Sequence, residues 1–302
     1  MTDLNQELLD KIIAHPDFQL LQRIKMSLPA FETGNRTFNA TIIDLETMGT
    51  DAKAHEIIEM GLLSFNFSNE DGILSIEQEY NELNDPGKPI PEEISKITGI
   101  TNDDVKGKKI DWDLVAKVLQ KTHLIICHNS AFDRNFLEIQ TPETVSTAAK
   151  RSPFACTVKD IDWSSRGYES KKLDYLNWKL GYFYDGHRAL NDCWATLNLL
   201  LNEPGAFDEL KVNVKRKQTL LCAVNAPFDK KELLKARQYR WSDGAGSLPK
   251  CWWICIDNDL LIDEKTWLDN DVYERENASS NLPIKEINAR IRYSFRAESF
   301  NE

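Results

Sequence analysis

Long apolar runs are missing from the sequence, and their absence argues against a membrane-spanning helix. The apolar stretches are strand-sized, such as His123–Cys127, whereas a helix that crosses a bilayer needs about 18 or more apolar residues. The first residues, Met1–Glu7, are acidic and lack the basic start and apolar core of a signal peptide. We therefore expect a chain that neither spans a membrane nor binds one.

Cysteine is sparse and irregularly spaced. The six cysteines are scattered over 302 residues without CxxC or CxxxxH spacing, so a structural zinc site is not expected. Isolated thiols of this kind are typical of proteins in the reducing cytosol rather than of secreted, disulfide-rich ones. The sequence thus predicts reduced thiols and a cytoplasmic location.

Net positive charge, a common mark of nucleic-acid-binding proteins, is also absent, since the formal charge at pH 7 is −11. The charge is unevenly distributed, however. The segment Lys211–Arg240 contains nine lysines and arginines against only Asp229 and Glu232, a net of +7, so the remainder carries −18. A local basic patch, not the average, sets the attraction for phosphate. The composition is therefore compatible with a nucleic-acid partner.

What the sequence does contain is enough apolar material for about two domains. Hydrophobic residues make up 41% and aromatic residues 10% of the chain, which excludes wholesale disorder. The pattern changes near residue 38 and again at Asn202–Gly205, where Pro and Gly follow a predicted helix. We expect a helical extension over 1–38, an α/β domain over 39–205 and a small α+β domain over 206–302.

The first 38 residues show helical periodicity. A first apolar stripe consists of Leu4, Leu8, Leu9, Ile12 and Ile13. Pro16 interrupts the pattern, since proline is tolerated only in the first turn of a helix. A second apolar set consists of Phe18, Leu20, Leu21 and Ile24. We expect a pair of packing helices here, rather than a segment dedicated to docking a partner.

Strands and helices follow one another from residue 38 onward. Runs of apolar, β-branched residues predict three strands, over Phe38–Glu46, Ile57–Phe67 and Ile73–Asn81. The later predicted elements are a helix over Trp112–Lys121, a core strand over Leu124–Cys127, a helix from about Ala131 and a helix over Arg188–Leu201. Hairpin-connected strands followed by alternating helices and strands predict an α/β domain with a mixed sheet.

Two acidic residues end the first of these strands. Side chains alternate between the two faces of a strand, so Asp44 and Glu46 point the same way. Two carboxylates held close together repel each other unless a cation compensates them, and oxygen ligands suit Mg²⁺ or Mn²⁺ rather than Zn²⁺. Taken alone, an Asp-x-Glu pair fits an ordinary exposed strand end equally well.

Two further acids and a histidine stand at predicted helix starts. Asp133 follows the core strand and His128–Asn129, where the helix dipole favours an acid even without a function. Asp192 lies one turn into the last helix, between apolar neighbours, and buried carboxylates are rare unless paired or metal-bound. His187 precedes that helix and suits a general base because it titrates near neutral pH. A lone loop histidine is nevertheless commonplace.

Together, these residues resemble the motifs of the DEDDh family of 3′–5′ exonucleases. The matching segments are Asp44–Gly49, Glu56–Gly61, Ile97–Thr101, His128–Phe136 and His187–Asp192. They cover about residues 39–202 in the family's order. The family includes the proofreading subunit of bacterial replicative DNA polymerase, ribonuclease T and oligoribonuclease.

The resemblance implies an RNase H-like fold with a mixed five-stranded sheet flanked by helices. It also implies two Mg²⁺ ions, replaceable by Mn²⁺, bound by the four acids Asp44, Glu46, Asp133 and Asp192. His187 would take the proton of the attacking water, and nucleoside 5′-monophosphates would leave from the 3′ end. The implied contacts of the terminal nucleotide are the backbone around Thr47 and Met48, with Thr98, Gly99 and Ile100 nearby, and the ring of Phe136. Phe132 is assigned to the core, whereas Phe136 fits a core or a stacking position equally well.

Two departures from the family pattern leave the substrate open. Met48 stands where many relatives have Thr or Ser, and the segment Thr141–Arg151 is longer and polar. The 3′ ends of single-stranded DNA are the leading substrate, and RNA is the alternative for the same chemistry. A non-catalytic nucleic-acid-binding subunit of a polymerase or repair complex is a third hypothesis, although all five catalytic positions are intact.

The C-terminal segment is basic and aromatic, and it resembles a small accessory module of some bacterial and phage exonucleases. Lys230, Lys231, Arg237 and Arg240 are the leading candidates for phosphate contacts. The tryptophans of this segment could stack on unpaired bases. Alternatively, the aromatic residues form the core of a small domain and the lysines cover its solvated face.

Overall fold

The computed structural model describes residues 3–300 of the chain. In chain order its strands are β1 (Gln22–Arg23), β2 (Thr37–Thr47), β3 (Ile57–Ser68), β4 (Gly72–Leu83), β5 (Leu124–Cys127), β6 (Phe154–Cys156), β7 (Tyr182–Phe183), β8 (Gln218–Val224), β9 (Arg240–Ser242), β10 (Cys251–Asp257) and β11 (Ile284–Ile287). Its α-helices are α1 (Asp3–Ile13), α2 (Glu92–Thr98), α3 (Asn102–Val105), α4 (Trp112–Lys121), α5 (Ser130–Ile139), α6 (Glu143–Arg151), α7 (Leu173–Lys179), α8 (Ala189–Asn202), α9 (Ala206–Val214), α10 (Lys231–Ala236) and α11 (Leu261–Trp267). None of the helices within residues 3–300 is both long and apolar enough to span a membrane.

The larger of the sheets has five strands in the order β4-β3-β2-β5-β6. Strand β3 pairs antiparallel with both β2 and β4, whereas β5 pairs parallel with both β2 and β6. The sheet is therefore mixed, as predicted. A loop joins β2 to β3 and a short turn joins β3 to β4, and the parallel strands are connected through helices, as parallel pairing requires.

Both faces of this sheet are buried, which explains the continuous apolar runs of its central strands. On β2, Ile42 packs into one core with residues of α8, and its neighbour Ile43 packs into a second core with residues of α4, α5 and α6. Strand β3 alternates in the same way, with Leu63 in the first core and Leu62 in the second. The outcome is a three-layered α/β domain, the fold class expected from the sequence.

The N-terminal segment differs from the expected helix pair. Only α1 forms, and its apolar side chains Leu8, Ile12 and Ile13 are largely exposed. The second apolar set forms no helix: strand β1 pairs in parallel with β7, and Ile24 directly after it is buried in the first core. The prediction of a second helix was wrong because pairing with a distant strand outweighed a weak local periodicity.

The second sheet has the order β11-β8-β10-β9, with every pairing antiparallel. Its two faces carry separate apolar cores. The adjacent residues Trp252 and Trp253 on β10 therefore pack on opposite sides, and Trp253 is the more deeply buried. Strands β9 and β11, which follow short polar segments, had no recognisable signal in the sequence.

The segments before and after the second sheet in the sequence both contact the domain of the five-stranded sheet. Helix α9 places Phe207 and Leu210 in the first core of the five-stranded sheet. The C-terminal tail, residues 288–300, also returns to that domain, where the fully buried Arg134 of α5 donates hydrogen bonds to the carbonyl oxygens of Ala289 and Arg292 at 3.0 and 2.8 Å. The predicted domain boundary at residue 205 stays a prediction.

Candidate active site

The site begins at the end of β2. Asp44 and Glu46 lie on the same face of the strand and both are half-buried, as the period of two requires. Their partners across β3 are Gly61 and Glu59, and the regular register shifts directly after Glu46. The strand therefore places two carboxylates near its C-terminal end, where its pairing with β3 becomes irregular.

Asp133 reaches the same edge from the first turn of α5. Its side chain is buried, and its Oδ1 accepts a hydrogen bond of 3.1 Å from the backbone N–H of Leu45, between the two acids of β2. The carboxylate is thus fixed against the strand. Strand β5 ends at Cys127 and α5 begins at Ser130, so the predicted strand-to-helix junction places this acid as expected.

Asp192 lies in the first turn of α8 and completes the set. Ligand oxygens of Asp44, Glu46 and Asp192 all lie within 4.8 Å of one another. The Asp192 carboxylate accepts hydrogen bonds of 3.1 Å from the Tyr184 hydroxyl and from the backbone N–H of Arg188. Asp133 is not part of this group of three oxygens, but all four acids line one cleft of about 400 Å³.

The four carboxyls perturb one another. Burial, followed by repulsion from the neighbouring acids, raises the pKa of Asp44 well above its usual range and that of Glu46 to about 8. Burial likewise raises the pKa of Asp133 to about 7 and that of Asp192 to about 6. Such a group ionises fully only when positive charge is supplied. The all-oxygen donor set fits hard divalent cations such as Mg²⁺.

His187 stands at the rim of this cleft, directly before α8. Its side chain is exposed and lines the cleft with the acids. Its backbone has a φ of 60°, a left-handed conformation that is uncommon for a residue other than glycine and occurs often at functional sites. The histidine is therefore placed to exchange a proton with a molecule in the cleft.

The start of α8 is held in place by two residues of β3. Glu59 is fully buried and accepts hydrogen bonds from Arg188 Nε and Nη2 and from the backbone N–H of Ala189. Gly61, two residues along the same face, lies so close to α8 that an added Cβ would be 2.3 Å from the Ala189 carbonyl carbon. These contacts fix the position of His187 and Asp192.

Sequence reasoning missed Glu59, Arg188 and Tyr184 as parts of the site. For Glu59 a signal existed: an acid within the apolar run Ile57–Gly61 has to be paired when that strand is buried on both faces. No comparable signal marked Tyr184, which reaches Asp192 from the loop after β7.

The expected terminal-nucleotide residues are only partly in the cleft. Thr47 and Thr98 line it. The side chains of Met48 and Ile100 lie in a separate apolar core, 5% and 2% exposed, so a contact with a nucleotide would come from their backbone, as expected for Met48, and it stays a prediction. Gly99 does not line the cleft; it ends α2 with a φ of 71°. The cleft contains instead Ile97, which is 56% exposed.

The structure decides between the two positions that Phe136 fitted in the sequence. Phe136 is 1% exposed and lies in the second core, where it cannot stack on a base. Phe132 packs against the same core, as expected, but it is only half-buried and also lines the cleft. The two rings are in contact, with centroids 4.8 Å apart. They share one face of the helix, but Phe132 lies four residues, about 6 Å, nearer the start of the helix.

The four basic residues proposed as phosphate contacts already have partners. Lys230 pairs with Glu274, and Arg237 pairs with Glu264 at 2.8 Å. The other two lie over aromatic rings: Lys231 over Phe228 and Arg240 over Trp253. Carboxylates thus partly compensate the charges of Lys230 and Arg237, and also that of Arg240, which pairs with Glu298 at 3.5 Å. The charge of Lys231 is not compensated by the ring beside it, and a role of these residues in nucleic-acid binding stays a prediction.

Comparison with known proteins identifies the domain. The model of the exonuclease family RNase T matches residues 41–200, more than half of the chain. The chain belongs to this exonuclease family. Membership confirms the resemblance inferred from the motifs, since the matched range contains all four acids and His187.

Two curated relatives illustrate where RNase T family domains occur. The chain is 31% identical over 170 residues to a DNA polymerase III PolC-type protein from Thermotoga petrophila, a match that covers 55% of this chain and 12% of that protein. It is 28% identical over 163 residues to a DNA polymerase III subunit epsilon from Aquifex aeolicus, covering 53% of this chain and 77% of the relative. The chain thus matches only a small part of the PolC-type relative.

A solved structure shares the fold. A zinc-bound E. coli ExoI–ssDNA complex superposes with a TM-score of 0.50 at 14% identity, over 74% of this chain and 63% of that one. The likeness supports the mixed-sheet α/β architecture and, at this identity, nothing finer.

Proposed function

We propose that the protein is a metal-dependent 3′–5′ exonuclease that acts on the 3′ ends of single-stranded DNA and releases nucleoside 5′-monophosphates. The observation that carries the proposal is the convergence of Asp44, Glu46, Asp133 and Asp192 on one cleft with His187 at its rim. DNA is favoured over RNA because the curated relatives are DNA polymerase III proteins.

The donor set supports a divalent-metal site. The four acids would hold two Mg²⁺ ions, with Mn²⁺ able to replace them, and the ions would polarise the scissile phosphate and neutralise the charge that develops on the leaving 3′ oxygen. The raised pKa of Glu46, about 8, fits this role because a cluster of carboxyls without a compensating cation retains protons near neutral pH. Arg188, directly before α8, is already paired with Glu59 at 2.8 Å.

The protein's own side chains would orient the reaction. His187 would accept the proton of the attacking water at an exposed ring nitrogen, and the contact of Arg188 with Glu59 would keep the histidine at the rim. The Tyr184 hydroxyl would hold the Asp192 carboxylate in one orientation through its hydrogen bond. Ile97 and Phe132 would pack against the terminal base, since both line the cleft.

The test is release of labelled mononucleotide from a 3′-labelled single strand in Mg²⁺, compared with a 5′-labelled strand and with an RNA strand of the same sequence. We expect early release from the 3′ label only, faster cleavage of DNA than of RNA, and loss of activity in EDTA. Asp44→Asn should abolish the activity, and His187→Ala should lower it about 100-fold or more. His15→Ala, which changes an exposed histidine of the N-terminal segment, is the matched control and should retain full activity.

Several outcomes would contradict the proposal. Unchanged activity in Asp44→Asn would exclude the four-acid site. Faster cleavage of RNA than of DNA would support the proposed phosphodiester hydrolysis but contradict DNA as the preferred substrate. Binding of 3′ ends in Mg²⁺ without any turnover would favour the non-catalytic subunit. A polymerase is the proposed partner on the strength of the relatives' names, and the cytoplasmic location stays a prediction.

A further inference from the structure

An exposed aromatic ring of the C-terminal tail lies next to α5 and to the loop after β2, two segments that contribute residues to the candidate active site. The Phe295 side chain is 53% exposed. The ammonium group of Lys53 lies over its ring, 5.5 Å from the centroid. The two residues are 242 positions apart in the sequence, so they form a joint surface only because the tail docks on the exonuclease domain.

This part of the tail is firmly attached to α5. The backbone N–H of Phe295 donates a 2.8 Å hydrogen bond to Oδ1 of Asn135, and Nδ2 of Asn135 donates to the carbonyl oxygen of Tyr293 at 3.2 Å. The next residue, Arg296, pairs with the buried Glu138 at 2.9 Å. The exposed ring is therefore held at a defined position rather than on a free end.

Both supports of the ring belong to segments that also reach the cleft. On α5, Phe132 lines the cleft, and Asn135 lies three residues, less than one turn, further along the helix. In the loop after β2, Thr50 lines the cleft, and three residues span at most about 11 Å from it to Lys53. Gln140 at the end of α5 donates a 2.6 Å hydrogen bond to the Ala52 carbonyl and so joins the loop to the helix.

The chemistry of the pair suits a nucleic acid strand. No acidic side chain within residues 3–300 lies within ion-pair distance of Lys53, in contrast to Lys230 and Arg237. An unpaired ammonium attracts phosphate, and an exposed ring provides a stacking surface for a base of any identity. The surrounding rim thus offers both groups that sequence-independent binding of a single strand uses.

We propose that Phe295 and Lys53 form a second contact for single-stranded DNA outside the catalytic cleft. The ring stacks on a base upstream of the 3′-terminal nucleotide, and the ammonium group pairs with a backbone phosphate. The proposal rests on the proposed function for its substrate, and it assigns to the C-terminal tail a part in substrate binding.

Substrates of two lengths distinguish binding at this contact from binding in the catalytic cleft. Thymidine 5′-monophosphate p-nitrophenyl ester fills the cleft only, whereas a 12-nucleotide single strand also crosses the rim. For Phe295→Ala we expect an unchanged kcat/KM on the ester and a KM about tenfold higher on the 12-mer. Phe295→Tyr should restore binding, whereas Phe295→Leu should not, because it keeps apolar bulk without a ring. Lys53→Gln should raise KM about threefold at low salt, with a smaller effect at high salt.

The chain offers a matched control in Phe31. Its side chain is 60% exposed, but its backbone N–H donates a 2.9 Å hydrogen bond to the Leu74 carbonyl near the start of β4, and the residue does not line the cleft. Phe31→Ala should leave the KM for the 12-mer unchanged. An equal effect of Phe31→Ala, an equal loss on ester and 12-mer in Phe295→Ala, or no loss on the 12-mer would each overturn the proposal.

A binding measurement distinguishes failure of this proposal from failure of the proposed function. The affinity of the fluorescently labelled 12-mer, measured by anisotropy in the presence of EDTA, does not depend on turnover. A wild-type protein that binds the strand, loses about tenfold in affinity on Phe295→Ala and hydrolyses neither substrate would refute the exonuclease and support the contact. Equal affinity of the wild type and Phe295→Ala would refute the contact whether or not the protein is a nuclease.

Discussion

The carboxyl cluster predicts that the metal-free protein loses stability as the pH rises. In the folded protein the pKa of Glu46 is raised from 4.5 to about 8, first by burial and then by repulsion from Asp192. Between these two values the folded state binds a proton that the unfolded chain has released. The free energy of unfolding must therefore fall as the pH rises through this interval.

The size of the effect follows from proton linkage. One proton bound only by the folded state changes the free energy of unfolding by about 1.4 kcal/mol per pH unit. From pH 5 to pH 8 this amounts to an upper limit of about 4 kcal/mol for one such carboxyl, a large share of the roughly 5–15 kcal/mol that stabilises a typical domain. The substitution Glu46→Gln removes the titrating group and retains its shape, so the slope should decrease by about one proton.

The assay is urea denaturation in EDTA at pH 5, 6, 7 and 8, followed by the fluorescence of the eight tryptophans. We expect Glu46→Gln to be more stable than the wild type at pH 8 and nearly equal to it at pH 5. Saturating Mg²⁺ should flatten the wild-type profile, because bound cations favour the ionised carboxylates in the folded state. The control is Glu70→Gln, which changes an exposed glutamate in the turn between β3 and β4 and should leave the slope unchanged.

Two results would refute the reasoning. If the stability of the wild type in EDTA rises between pH 5 and pH 8, the acids are compensated within the protein and do not repel one another. If Glu46→Gln has the wild-type slope, Glu46 does not hold the extra proton. Either result would remove the electrostatic support for a cation site while leaving the geometry of the cleft to be explained otherwise.

Two further predictions concern the residues that position the catalytic helices. Gly61→Ala places a Cβ against the backbone of α8 and should lower both the exonuclease activity and the free energy of unfolding, the latter by about 1–3 kcal/mol. The control Gly34→Ala, with nothing within 4 Å of its Cβ, should change neither quantity. Full activity in Gly61→Ala would contradict the close contact. Arg134→Met removes the hydrogen bonds to the tail segment Ala289–Arg292. It should lower the free energy of unfolding by about 3 kcal/mol and speed amide hydrogen exchange in residues 288–296, whereas the control Arg36→Met on the exposed surface should do neither. Unchanged exchange in the tail would show that its docking does not depend on Arg134.

The five-stranded sheet was predictable because its strands are buried on both faces. Such strands appear in sequence as uninterrupted β-branched runs, and the predicted bounds of β5 and α4 match those observed. Strands β1 and β7 have only two residues each, and their pairing depends on residues about 160 positions apart. No local pattern encodes a contact of that kind, so the second helix of the N-terminal segment was predicted in its place.

The acids of the site were predictable for a related reason. Strand ends and helix starts are the places where a side chain emerges at the edge of an α/β sheet, and the acids occupy them in the order of a known family. The position of a residue along the helix axis was harder to predict than the helix face on which the residue lies. Phe132 and Phe136 lie on one side of α5 with their rings in contact, so periodicity cannot distinguish them, and only the position of Asp133 relative to the sheet edge decides which ring reaches the cleft.

The residues that hold the acids of the site in place were its least predictable part. Different residues hold different acids. Glu59 and Gly61 of β3 hold the start of α8, and with it Asp192 and His187. Arg134 attaches the C-terminal tail to α5, directly next to Asp133. Each pairing joins segments more than 120 residues apart. Because α8 packs in the first core and α5 in the second, on opposite faces of the sheet, a defect in one support should displace its own acid first: Gly61→Ala should disturb Asp192, and Arg134→Met should disturb Asp133.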